Sequence, residues 1–84
     1  METKDYNGWA NWETWNFNLW INNDLRLHNI VNHGLKELSE KESKTKLLET
    51  VALKFVGTSL MGDMKKSDIR NINFNEIIEA LEEL

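Results

Sequence analysis

The sequence predicts an all-α fold, a compact bundle of about four helices, and three observations lead there. Apolar residues recur at spacings of three and four in several stretches. Proline is absent, so no helix interior is broken by one. The four glycines are few enough to serve as punctuation between helical segments. At 84 residues the chain is expected to form a single small helical domain, 1–84, with residues 1–10 a polar, partly disordered leader apart from Tyr6 and Trp9. A domain of that size buries roughly 60–65% of its unfolded surface, so its stability margin is thin. With no cysteine there is neither a disulfide nor a thiolate. Apolar packing or self-association must hold the chain together.

The first helix is announced by Asn11, an N-cap residue whose carboxamide oxygen can accept from first-turn amides, with Glu13 placed where the helix dipole favours negative charge. Trp12, Trp15 and Leu19 share one face, with Asn16 and Asn23 alongside. Phe17, Trp20 and Ile21 fall on a second face. A strand reading competes, because Trp15, Phe17, Leu19 and Ile21 alternate with Asn16, Asn18 and Asn22. Asparagines are poor strand formers and Trp20 breaks the alternation, so the capping signal decides for a helix.

The second helix carries Leu27, Ile30, Val31, Leu35 and Leu38 as an amphipathic stripe. Asn23 or Asp24 caps it, which places a tight corner between the first two helices. Gly34 lies on the stripe at a cost of up to ~1 kcal/mol relative to alanine. Either a neighbouring helix comes close there, for instance with a tryptophan, or the helix ends or bends.

"SEKESKTK", residues 39–46, reads as a solvated connection plus the first turn of a third helix. Leu47, Leu48, Val51, Ala52, Phe55, Val56 and Leu60 then cover about half a circumference, extended by Leu53, which predicts a central helix. Gly57 and Gly62 mark its weakening and its end. "GDMKKSDIRN" follows as a loop with one short helical turn from Ser67. Asn73 and Glu76 approximate a capping box. Beyond them Phe74, Ile77, Ile78, Leu81 and Leu84 line one side of a last helix, and Glu76, Glu79, Glu82 and Glu83 the other.

Chemistry is constrained mainly by what is missing. No apolar run approaches the ~20 residues that span a bilayer. The opening Met1, Glu2, Lys4, Asp5 is unlike a secretory signal. A cytoplasmic protein (host-cell cytoplasm, if phage-encoded) with no membrane partner is expected. Asp24 and His28 are i, i+4 neighbours and form half of a metal site, but His33 points about 140° away from His28. No third ligand is apparent. None of Ser39, Ser43, Ser59 and Ser67 sits in a nucleophile elbow, and "TSLM" between Gly57 and Gly62 lacks the Gly-Lys-Ser/Thr ending of a phosphate loop. The expectation is no enzyme, no catalytic residue, no cofactor and no metal. For nucleic acid, Lys36, Lys41, Lys44, Lys46, Lys54, Lys65, Lys66 and Arg70 are interleaved with carboxylates, and the formal charge is −4, so no basic stripe forms. Nucleic acid is a partner class the sequence permits without favouring.

The remaining signal is "NGWANWETWNFNLWINND", residues 7–24, which holds all four tryptophans and six of the eleven asparagines. Tryptophans each bury up to ~250 Å² and can supply much of a small core. The first helix nonetheless has two apolar faces, more than one small bundle readily covers. The expected contact surface is the second face, Phe17, Trp20 and Ile21, or the acidic side of the last helix, Glu76, Glu79 and Glu83. A homodimer would satisfy the same constraint.

At "YNGWANWETWNFNLWINND", residues 6–24, the chain resembles a family of small proteins found in bacteriophages, plasmids and bacteria. The shared residues are Asn7, Gly8, Trp9, then Trp12 (where the family has tyrosine), Glu13, Thr14, Trp15 and Asn16, then Leu19, Trp20, Ile21, Asn23 and Asp24. "INFNEIIEALEEL" is similar to the family's closing segment, whereas residues 25–70 match weakly. The family carries no established activity. Its setting implies a small accessory protein that binds a host protein stoichiometrically, as a takeover or anti-defence inhibitor. A nucleic-acid-associated accessory protein is the alternative.

Overall fold

The computed structural model describes residues 8–59 and 61–82. Its elements run α1 (Trp12–Asn23), α2 (Leu25–Glu37), α3 (Lys41–Phe55), a 3₁₀ helix (Lys66–Asn71) and α4 (Phe74–Glu82). Among the described residues the only bridge-like pairing is Val56 with Met61, so the all-α reading stands and the strand reading of the tryptophan segment falls.

Asn11 caps α1 as its sequence position implied, with an extended backbone and its Oδ1 accepting from the Thr14 amide. Asp24 then does two jobs at the corner. Its N–H closes the last turn of α1 on the Trp20 carbonyl, and its carboxylate accepts from the Arg26 and Leu27 amides that open α2. The chain therefore turns between helices on a single residue.

On α2 the buried stripe is Leu27, Val31 and Leu35, while Ile30 is 46% exposed and lies outside it. Gly34 does not end the helix. A Cβ there would stand 2.6 Å from Cδ2 of Leu47, so α3 approaches α2 closely at that point and a leucine, rather than a tryptophan, fills the gap.

The third helix begins at Lys41, inside the charged stretch, and its amphipathic charges become one solvated side of a regular helix. It ends at Phe55. Gly57 adopts φ +84°, a left-handed conformation that costs glycine little, and its N–H donates to the Met61 carbonyl at 2.9 Å. The Lys66 ammonium donates to the Leu53 carbonyl, one of the free acceptors of the last turn. Gly62 therefore lies past the helix end rather than marking it. The loop it belongs to supplies core residues that periodicity does not reveal: Met61 and Met64 are both sealed. Methionine's unbranched chain suits such irregular gaps.

α1 packs against α2, α4 and the 3₁₀ helix, and α3 packs against the same three. The expected central role of α3 is thus shared with α1. Between them lie Phe17, Ile21, Leu27, Val31, Leu48, Val56, Ile77 and Ile78, all at 2% exposure or less. Phe17 meets Phe74 edge to face at 5.7 Å and 86°, the geometry aromatic quadrupoles prefer. Among the described residues no helix is long and apolar enough to cross a membrane.

Candidate functional site

The tryptophan-rich helix is built around a buried threonine. Thr14 is fully buried, and its hydroxyl donates to Asn11 Oδ1 at 2.6 Å while accepting from the Asn73 N–H at 2.8 Å. One side chain thereby joins the N-terminus of α1 to that of α4. Asn11 also donates through its Nδ2 to the Asn71 carbonyl at 2.7 Å, and Asn71 reaches Glu13 at 3.4 Å. Asn73 Oδ1 accepts from the Glu76 amide at 3.3 Å. The expected capping box closes differently, because the Asn73 N–H is already given to Thr14. The Glu76 carboxylate accepts instead from the Ala10 N–H at 2.9 Å, fastening the segment that carries Trp9. Asn11, Glu13 and Thr14, three residues of the quoted motif, are accounted for by this staple.

The staple sets the rotation of α1. With Thr14 facing inward, Phe17 and Ile21 follow at i+3 and i+7 and are driven fully into the core. This corrects the expected contact surface: Phe17 and Ile21 cannot form an exposed patch, since the hydrogen bond to Asn73 turns exactly that face of the helix toward α4 and α2. Trp20 is half-buried and packs at the edge of the core, as do Trp9 and Trp12. The other face is divided: Asn16 is buried and Trp12 packs on the core, and only its far edge is left outward. Leu19 is 39% exposed, Trp15 beside it is half-buried, and Asn22 and Asn23 are exposed.

That outward face has two further properties. No charged residue occurs from Thr14 to Asn23, in a chain that is 29% charged. Its flanks also hold carboxamides that are poorly satisfied: Asn16, 3% exposed, and Asn18 each bury a side-chain oxygen with no hydrogen-bond partner. Such orphan acceptors are uncommon in folded proteins and call for an explanation.

The acidic side of α4 is less available than its composition suggests. Glu76 is engaged in the staple, Glu79 pairs with Lys41 at 3.9 Å, and Glu82 pairs with Lys44. Glu83 lies outside the described residues. These pairs also occupy two of the lysines that would form a basic track. Asp24 serves as a cap and His33 pairs with Glu37 at 3.4 Å, so neither converges with His28. Among the described residues no group of three potential metal ligands comes together. One open trough, about 760 Å³, runs beside Glu40, Ser43, Lys46 and Asn75. A second, about 420 Å³, lies between α2 and α4 and is lined by His28, Leu35, Lys36 and Leu81.

Fold and site define a small helical module, pinned by a polar staple, whose first helix carries no charge from Thr14 to Asn23. The chain belongs to a family of unknown function (DUF7249), whose model matches residues 2–84. No curated protein and no solved structure matches it.

Proposed function

We propose that this protein is a small phage-type accessory protein that acts by stoichiometric binding to a host protein, through the outward face of α1, rather than by catalysis. The observation that carries this reading is the exposure of Leu19 beside Trp15 on a face with no charge. The fully buried apolar residues of α1, Phe17 and Ile21, lie on the opposite side, and Leu19 stands outside the core. Depletion of charge around aromatic and aliphatic anchors is the compositional mark of an interface core. Tryptophan is the residue most enriched at binding hot spots. The resemblance of residues 6–24 to proteins of phages, plasmids and bacteria supports a host protein as the partner class.

The test is an affinity capture from nuclease-treated host lysate using the whole chain and its Leu19→Glu variant. The expected result is one host protein retained in stoichiometric amount by the wild type and lost from the variant, whose far-UV circular dichroism is unchanged. Equal capture by both proteins, or none by the wild type, overturns the reading. Retention on single-stranded DNA with a steep salt dependence would transfer it to a nucleic-acid role.

A further inference from the structure

We propose that Asn7 is a site of spontaneous covalent modification, losing its amide nitrogen through attack by the main chain of Gly8 and becoming aspartate or isoaspartate. The inference stands apart from the host-protein reading.

The staple accounts for Asn11, Glu13 and Thr14 and leaves the opening pair of the motif, Asn7 and Gly8, without a task. Of the eleven asparagines only Asn7 is followed by glycine. The reaction needs the amide nitrogen of the next residue to reach the asparagine Cγ. A side chain on that next residue stands in the way, and a hydrogen bond already made by its N–H holds it back. Gly8 presents neither obstacle. It is exposed at φ +88°, no heavy atom lies within 4 Å of where a Cβ would stand, and among the described residues its N–H has no hydrogen-bond partner. Asn7 itself lies outside the described residues.

The fold shields the other ten asparagines. Asn16, Asn18, Asn22, Asn29 and Asn32 lie inside α1 and α2, where the following N–H belongs to the helical ladder. The amides after Asn23, Asn71 and Asn75 are given to the Trp20 carbonyl, the Ile69 carbonyl and Asn73 Oδ1. Asn11 and Asn73 precede Trp12 and Phe74, whose bulk crowds the attack. Their own carboxamides are also held, by Thr14 and Asn71 in the first case and by Glu76 in the second.

In the reaction the Gly8 nitrogen bonds to Asn7 Cγ as the Cγ–Nδ2 bond breaks. The proton of that nitrogen leaves with Nδ2 as ammonia, and a succinimide ring closes. Water then opens the ring. Addition at Cγ gives aspartate, whereas addition at the main-chain carbonyl gives isoaspartate, in which the chain continues through Cγ. Nothing is oxidised or reduced, and water is the only co-reactant. Either product adds one negative charge to a chain that carries −4. Isoaspartate also lengthens the main chain just ahead of Gly8 and of Trp9, which packs against the core.

Incubation of the purified full chain at neutral and at mildly alkaline pH, followed by anion exchange and peptide mapping, tests this. A more acidic species is expected to accumulate, faster at the higher pH because the attacking nitrogen must lose its proton. The change should map to Asn7 alone, and an isoaspartate-specific methyltransferase should label part of it. Asn7→Gln, whose longer side chain closes the ring poorly, and Gly8→Ala are both expected to lose the acidic species. Asn7→Gln keeps glycine at φ +88°, so it stays readable where Gly8→Ala disturbs the turn. An Asn7 that stays intact in the wild type, or equal conversion at any other asparagine of the folded protein, overturns the proposal.

Discussion

The two faces of α1 have similar amino acids and opposite fates. Inward, Thr14, Phe17 and Ile21 are sealed, and the one polar member is hydrogen-bonded on both sides, to Asn11 and Asn73. Outward, Leu19, Asn22 and Asn23 meet solvent, and the neighbouring carboxamides of Asn16 and Asn18 hold buried oxygens with no partner. Hydrophobicity does not separate the two sides. What separates them is whether a polar side chain finds its complement within the same chain. Thr14 does, and it fixes the rotation that commits the face around it to the core. The satisfied face is the one on which the core is built.

Substitutions can break that contrast from its strongest side. Phe17→Ala is expected to cost about 3–5 kcal/mol, through lost burial and the cavity left against Phe74. Against a total stability of about 4–12 kcal/mol for a domain of this size, the variant should show a large drop in its chemical-denaturation midpoint. Thr14→Ala should cost about 1–3 kcal/mol, because at this part-buried junction the Asn73 N–H loses its partner and the Asn11 oxygen keeps only the Thr14 amide. Thr14→Ser, which keeps the hydroxyl, should recover most of that loss. Equal destabilisation by alanine and serine would show that the threonine methyl, not the staple, orients α1.

Lys44→Ala removes the ion pair with Glu82 on the partly exposed α3–α4 side and should cost no more than ~1 kcal/mol, falling further in high salt. A cost as large as that of Thr14→Ala would place a second staple between α3 and α4. The smallest effect on stability is expected at the outward face, where Leu19→Glu should stay within about 0.5 kcal/mol of the wild type. Its effect belongs to binding. A marked drop in the unfolding midpoint would instead assign Leu19 to the core.

The helices are legible from the chain alone, because capping and periodicity are local. Asn11 and Asp24 satisfy amides within three residues of themselves, and the stripe Leu27, Val31, Leu35 repeats within one segment, so both are visible without knowing what lies opposite. The buried Met61 and Met64 left no such trace, since they sit in a loop with no period to betray them. Which way α1 is turned is settled by packing between distant segments. Both of its faces carry aromatic and aliphatic residues, and the residue that chooses between them, Thr14, does so through the N–H of Asn73. That contact spans most of the chain. A choice made by a partner so distant in sequence cannot be read from the segment it rotates.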